Sequence, residues 1–139
     1  MRVWLSRLLI AAVFIWNVQC ALAFLISPVP YAASFELSGE TGEAMLRGMG
    51  VLFLMWNVPY AVALWHPVRF RVSLYEALAM QSIGLLGESL ILLTLPTAHA
   101  LARASVVRFI VFDAAGLALL LVAAWMTRAS SALGSTSAA

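Results

Sequence analysis

The amino-acid sequence predicts an all-α polytopic membrane protein, with four transmembrane helices in an up-and-down bundle and both termini cytoplasmic. Three observations carry that prediction. Four apolar stretches, residues 5–26, 47–65, 73–95 and 105–126, match the roughly 20 residues a helix needs to cross a hydrocarbon core. The 139 residues are 64% hydrophobic and 10% charged, with a mean hydropathy of +1.00, far from the composition of a soluble domain. The links are short, so consecutive helices are expected to lie antiparallel and adjacent. Residues 1–128 therefore read as one transmembrane domain. The Ser/Ala-rich stretch 129–139 reads as a disordered tail.

The first stretch, 5–26, is preceded by Arg2 and Arg7 and carries Ala21-Leu22-Ala23 near its end. That pattern resembles a signal peptide, but the apolar run exceeds the roughly 7–15 residues of a signal h-region, so a retained helix is the favoured reading. The lone cysteine, Cys20, excludes an internal disulfide and reads as a small residue packed in a helix interface. A polar stretch, 27–46, follows, with Pro, Gly, Ser, Glu36, Glu40 and Glu43. It is open between a solvated loop and a short interfacial helix.

The second stretch, 47–65, repeats part of the first: Trp16-Asn17-Val18-Gln19-Cys20-Ala21-Leu22-Ala23 is followed forty residues later by Trp56-Asn57-Val58-Pro59-Tyr60-Ala61-Val62-Ala63. On consecutive antiparallel helices such a repeat would have inverted topology. Both asparagines need hydrogen-bond partners at membrane depth and should face the bundle interior. Structural glue is the simpler reading of the pair, and a ligand contact is the other. Pro59 removes a helical hydrogen bond and is expected to bend the helix.

The third stretch, 73–95, carries Ala77, Gln81, Gly84 and Glu88 on one stripe at i, i+4, i+7 and i+11. The fourth, 105–126, carries Phe109, Asp113, Gly116 and Leu120 on a comparable stripe. At 1.5 Å per residue, Glu88 and Asp113 both fall roughly 10–12 Å below the outer boundary. A charged side chain at such depth costs about 2.5–3.5 kcal/mol on insertion scales, which makes each carboxylate a candidate functional position. Three arrangements would make the pair tolerable. Arg47 and Arg108 could reach in and close a neutral network with Glu88 and Asp113, which is the leading expectation. Alternatively, Glu88, Asp113, Gln81, Asn17 and Asn57 line a proton- or ligand-binding chamber, or the carboxylates face a partner subunit.

All eight basic residues are Arg, and their distribution sets the orientation. Arg2, Arg7, Arg69, Arg71 and Arg128 group on one side against Arg47, Arg103 and Arg108 on the other, which puts the termini inside. Trp4, Trp65, Tyr75 and Trp125 fall at the same inner boundary, where amphipathic rings prefer to sit. The expected setting is a bacterial-type inner membrane crossed several times. No basic run interleaved with aromatics points to nucleic acid.

The chemistry inventory is sparse. His66 and His99 lie on opposite sides of the expected membrane and cannot share a metal or haem, so no metal site is expected. No phosphate loop or HExxH pair occurs, and Gly84 with Gly87 reads as helix packing. No catalytic residue is assigned. No cofactor is evident and no quinone-specific pattern occurs; a bound quinone or lipid stays open. The favoured function is a non-catalytic accessory or assembly subunit of a larger membrane complex, respiratory or photosynthetic electron transfer being the natural setting, with the bilayer and other membrane subunits or further copies as partners. The alternative is a proton-coupled small-molecule carrier or binder using the carboxylate pair.

In layout the chain resembles the DoxX-like small four-helix membrane proteins. The likeness rests on the Arg-flanked first helix, Pro28-Val29-Pro30-Tyr31, Phe35-Glu36 and Leu46-Arg47-Gly48-Met49-Gly50, and covers about the first half of the chain. The resemblance implies a quinone-linked redox membrane protein. It assigns no site residue, because Met80-Gln81-Ser82-Ile83-Gly84-Leu85-Leu86-Gly87-Glu88 has no counterpart in it.

Overall fold

A computed structural model describes the backbone of residues 1–135 and the side chains of residues 1–128. The described chain is all-helical: α1 Arg2–Ile26, α2 Pro28–Ser34, α3 Gly39–Trp56, α4 Val58–Trp65, α5 Arg71–Thr94 and α6 Ala100–Ser135. Four spans are long and apolar enough to cross a membrane, Arg2–Ile26, Gly39–Trp65, Arg71–Thr94 and Ala100–Arg128. Of the tail expected over 129–139, the backbone to Ser135 continues α6, and 136–139 lie outside the described residues.

Prolines place three of the boundaries. Ser27 precedes Pro28 and leaves the helical region at φ −132°, ψ 65°, because the proline ring disfavours α geometry in the residue before it. Pro28 then opens α2, where its missing N–H costs nothing. Leu95, before Pro96, is extended at ψ 122° and ends α5. At Pro59 the missing amide interrupts the second span, which divides at Asn57 into α3 and α4. The Asn57 amide Nδ2 donates to the Phe53 carbonyl at 2.7 Å, beside the Asn57 backbone N–H that reaches the same oxygen at 3.1 Å.

The stretch 27–46 is more helical than its polarity suggests. It holds α2 and the first two turns of α3, which begins eight residues ahead of the apolar run. Glu40 sits in the first turn of α3, where a carboxylate complements the helix dipole. Helix formers such as Glu40, Glu43, Ala44 and Met45 extend a helix past the apolar run that hydropathy detects. Between α2 and α3 the chain reverses through Glu36 at φ 60° and Gly39 at φ 65°, the left-handed region that glycine enters freely and glutamate seldom does.

Four helical columns pack in a ring: α5 lies against α6, α6 against α1, α1 against α3 and α4, and α4 against α5. At one end, Ser6 Oγ donates to the Ala123 carbonyl at 3.0 Å, Arg7 Nε donates to the Leu64 carbonyl near the end of α4 at 3.0 Å, and Arg128 Nε reaches the Tyr75 hydroxyl. Trp4, Trp65, Tyr75 and Trp125 are exposed. At the other end, Ser105 Oγ donates to the Ser34 carbonyl at 2.7 Å, and Arg103 donates to the carbonyls of Leu92 and Leu95.

Small residues set the closest approaches. A Cβ added to Gly50 would lie 2.8 Å from the Ala21 carbonyl oxygen, so only glycine lets α3 come this near α1. In lipid such backbone proximity and van der Waals contact drive helix association more than apolar burial does. Two cores result. One joins Ile10, Val13, Tyr60, Leu74, Ala77 and Leu120. The other joins Phe24, Ala32 and Leu46, with Phe35, Phe53 and Phe109 packed on it.

Candidate functional site

Residues of both cores border a cavity of about 250 Å³. Its polar wall is a connected chain. The Tyr60 hydroxyl donates to Gln81 Oε1 at 2.6 Å, and Gln81 Nε2 donates to Asp113 Oδ1 at 2.7 Å. Asn17 approaches the same Tyr60 hydroxyl. Gln81 is buried, and a buried amide is tolerated only where its N–H and C=O are both engaged.

Two glycines make room for that chain. A Cβ on Gly116 would come within 2.7 Å of Gln81 Nε2, and one on Gly84 would collide with the Asp113 carboxylate. The stripe of Gln81, Gly84 and Glu88 on α5 thus interlocks with the stripe of Asp113 and Gly116 on α6. Gly87 has open space where a Cβ would project, so the packing role expected of Gly84 and Gly87 belongs to Gly84 alone.

Of the seven polar residues singled out in the sequence, the structure brings Asn17, Asn57, Gln81, Glu88, Arg108 and Asp113 to the cavity wall. Arg47 is the exception and corrects the expected four-residue network. It is not part of the cavity lining; it is half-exposed, and its Nη2 donates to Glu43 Oε2 at 3.1 Å. A glutamate one turn back on the same helix is the nearer partner and needs no buried reach. Arg108 lines the cavity, but its Nη2 donates to Ser105 Oγ at 2.8 Å, one turn back on its own helix. Among the described residues neither Glu88 nor Asp113 forms an ion pair.

The wall therefore holds oxygen acceptors with nothing to accept. Glu88 Oε2 and Asn57 Oδ1 are buried without a hydrogen-bond partner, and Asn57 is only 4% exposed. Leaving such a group unsatisfied costs about 1–3 kcal/mol, more when it is charged. Asp113 packs against Gly84, one turn before Glu88 on α5, so the two carboxylates share one stretch of the wall.

The rest of the lining is aromatic, including Phe24, Phe53, Trp56, Phe109 and Phe112. Phe24 and Phe53 stack at 5.8 Å between centroids, and Phe53 meets Phe109 at 6.1 Å. From α2 and its end, Tyr31, Ser34 and Phe35 cover one side. Glu36 fastens this segment to α6: its Oε2 lies 2.6 Å from His99 Nδ1, and its Oε1 accepts from the Leu101 and Ala102 amides at 3.1 and 3.3 Å. The bond from His99, joined by these amides, holds the Glu36 carboxyl below its ordinary range. The first turn of α6 is thereby capped by a side chain from another element.

Sequence reasoning missed the aromatic wall and Tyr60. The repeat did contain a signal for Tyr60, which stands at the position of Cys20 in the other copy; Asn17, Asn57, Cys20 and Tyr60 all line one cavity. Among the described residues no group of three His, Cys, Asp or Glu comes together to hold a metal ion. The chain matches no protein-family model, and neither a curated protein nor a solved structure is found similar to it.

Proposed function

We propose that this chain is a proton-coupled small-molecule binder or carrier, built as an up-and-down bundle of four spans with both termini on the cytoplasmic side of a bacterial-type inner membrane. The observation that carries the reading is Glu88: its Oε2 is buried on the wall of a cavity with no partner. An isolated carboxylate at this position must hold a proton or receive a ligand. The orientation rests on the arginine distribution and the exposed aromatic rings at one end of the bundle.

Native mass spectrometry on protein extracted in mild detergent tests this. The expected species is the chain carrying a small noncovalent adduct that Glu88→Gln loses. A chain with neither adduct nor partner overturns the reading.

A second reading, an accessory or assembly subunit of a larger respiratory or photosynthetic complex, is favoured by one observation. α5 exposes Ile83, Leu86, Leu90 and Leu93, and 11% of its apolar window is covered within the chain, against 22% for the other spans. A co-migrating membrane subunit in the same measurement, with no small adduct, would select it.

The quinone implied by the resemblance to DoxX-like proteins fits the cavity poorly. Quinone carbonyls need hydrogen-bond donors. The Tyr60 hydroxyl is spent on Gln81, which leaves Arg108 as the charged donor on the wall, and a quinone would also have to set its carbonyl acceptors beside the Glu88 and Asp113 carboxylates.

A further inference from the structure

Resting on the binder reading above, we propose that the cavity's ligand is an organic monocation, an amine with an aromatic or similarly apolar body. The charge count points that way. Glu88 and Asp113 against Arg108 leave one unbalanced negative charge when both carboxylates are ionised. The hydrogen-bond count agrees independently, because among the described residues the two atoms of the cavity wall that are buried without a partner, Glu88 Oε2 and Asn57 Oδ1, are both acceptors. An ammonium group supplies up to three N–H donors and no acceptor. Asp113 is oriented towards the same space by Gln81, which holds its Oδ1.

The aromatic wall supplies the other half of the recognition. Phe24, Phe53, Trp56 and Phe109 present ring surface beside the carboxylates, and a desolvated cation is attracted by such faces. A neutral apolar ligand would use the rings and leave the acceptors unsatisfied. An anion would meet two carboxylates. A metal ion would need an oxygen shell of six or more ligands for calcium, or retained water for magnesium, and the aromatic faces offer neither.

A cation and a proton compete for Glu88, so binding of the ammonium releases the proton from a protonated carboxyl: the O–H bond breaks, the proton leaves to water, and the carboxylate pairs with the ligand. The titratable or charged groups that share this space are Cys20 from α1, Tyr31 from α2, Tyr60 from α4, and Arg108 and Asp113 from α6.

The test uses two probes of similar shape, 3-phenylpropylammonium and 3-phenylpropan-1-ol, titrated against the purified full-length chain in detergent, with tryptophan fluorescence reporting through Trp56. The ammonium is expected to bind at least about tenfold tighter than the alcohol, because charge-assisted hydrogen bonds are roughly twice as strong as neutral ones and the rings add cation–π attraction. Its affinity falls as pH falls, while that of the alcohol stays flat. Glu88→Gln should remove the ammonium's advantage over the alcohol. Equal affinity of the wild-type chain for both probes overturns the cation assignment while leaving a binding cavity. Binding of neither probe overturns the assignment too, and then the native adduct alone decides the binder reading. The wild-type comparison needs no variant, so a misfolded Glu88→Gln protein does not remove the test.

Discussion

Gln81 Nε2 donates to Asp113 Oδ1 at 2.7 Å and so ties α5 to α6 at the level of the cavity. The same amide accepts from Tyr60 on α4 through its Oε1. Three helices are therefore held by one side chain whose two ends have opposite hydrogen-bonding character, and the arrangement fixes which carboxylate oxygen remains directed elsewhere.

Gln81→Leu should destabilise the bundle and loosen the Asp113 carboxylate. Unpartnered buried groups cost about 1–3 kcal/mol, but interhelical hydrogen bonds within membranes average about 0.6 kcal/mol, because unfolded chains in the bilayer also find partners. Two bonds are lost here, so the expected loss is about 1–2 kcal/mol, read from unfolding in mixed detergent. A variant as stable as the wild-type chain would show that the Tyr60–Gln81–Asp113 chain contributes nothing to packing.

Glycine positions separate by what a Cβ would meet. On Gly50 it would lie 2.8 Å from the Ala21 carbonyl oxygen and 2.9 Å from Leu25 Cγ, and backbone cannot swing aside as a flexible side chain can. Gly50→Ala should cost about 1–3 kcal/mol, typical of overpacking. Gly48, two residues earlier on the same helix, has nothing within 4 Å, so Gly48→Ala should be neutral or gain up to about 1 kcal/mol from helix propensity. The pair, measured in one unfolding assay, controls for helix propensity.

What could be read in advance divides along physical lines. The four spans were legible because charged residues are so rare that each apolar run stands out. The polar layer was legible because Gln81, Glu88 and Asp113 are conspicuous at helical spacing in apolar surroundings. Arg47 was not, because an arginine long enough to reach a buried carboxylate is also long enough to find Glu43 one turn away, and one sequence allows both. The aromatic wall was hidden for a different reason. Phe24, Phe53 and Phe109 on apolar helices read equally as core, lipid-facing or cavity-lining, and only their convergence in space distinguishes the three. The helical start of α3 was obscured by polarity, which measures exposure and not helix propensity.

Glu36 predicts a pH-dependent clamp over the cavity. The folded protein holds its carboxyl below the ordinary range through His99 and the α6 amides, so the stabilisation is fully present above the unfolded carboxyl's range. It disappears as pH falls through the lower folded value. The Leu101 and Ala102 amides, which donate to Glu36 Oε1, should then exchange faster with solvent than intrinsic chemistry accounts for. Glu36→Gln should leave their protection independent of pH over that interval. Hydrogen exchange of the two proteins across the acidic range checks it, and identical pH profiles would rule the clamp out.

Membrane orientation can be tested through the two ends of the bundle. Arg7 meets the Leu64 carbonyl and Arg128 meets Tyr75, so the start of α1, the link after α4 and the last turns of the fourth span gather together. Glu36 and His99 gather at the opposite end. With Cys20 replaced by Ala, a single cysteine at Arg69 should react with a membrane-impermeant maleimide only after cells are opened, whereas one at Thr97 should react in intact cells. The arginine excess beside Arg69 sets that sign. Reversed labelling would invert the protein and put the α2 cover of the cavity on the cytoplasmic side. Labelling of both positions from the same side would contradict the four-span topology, because α5 would then fail to cross.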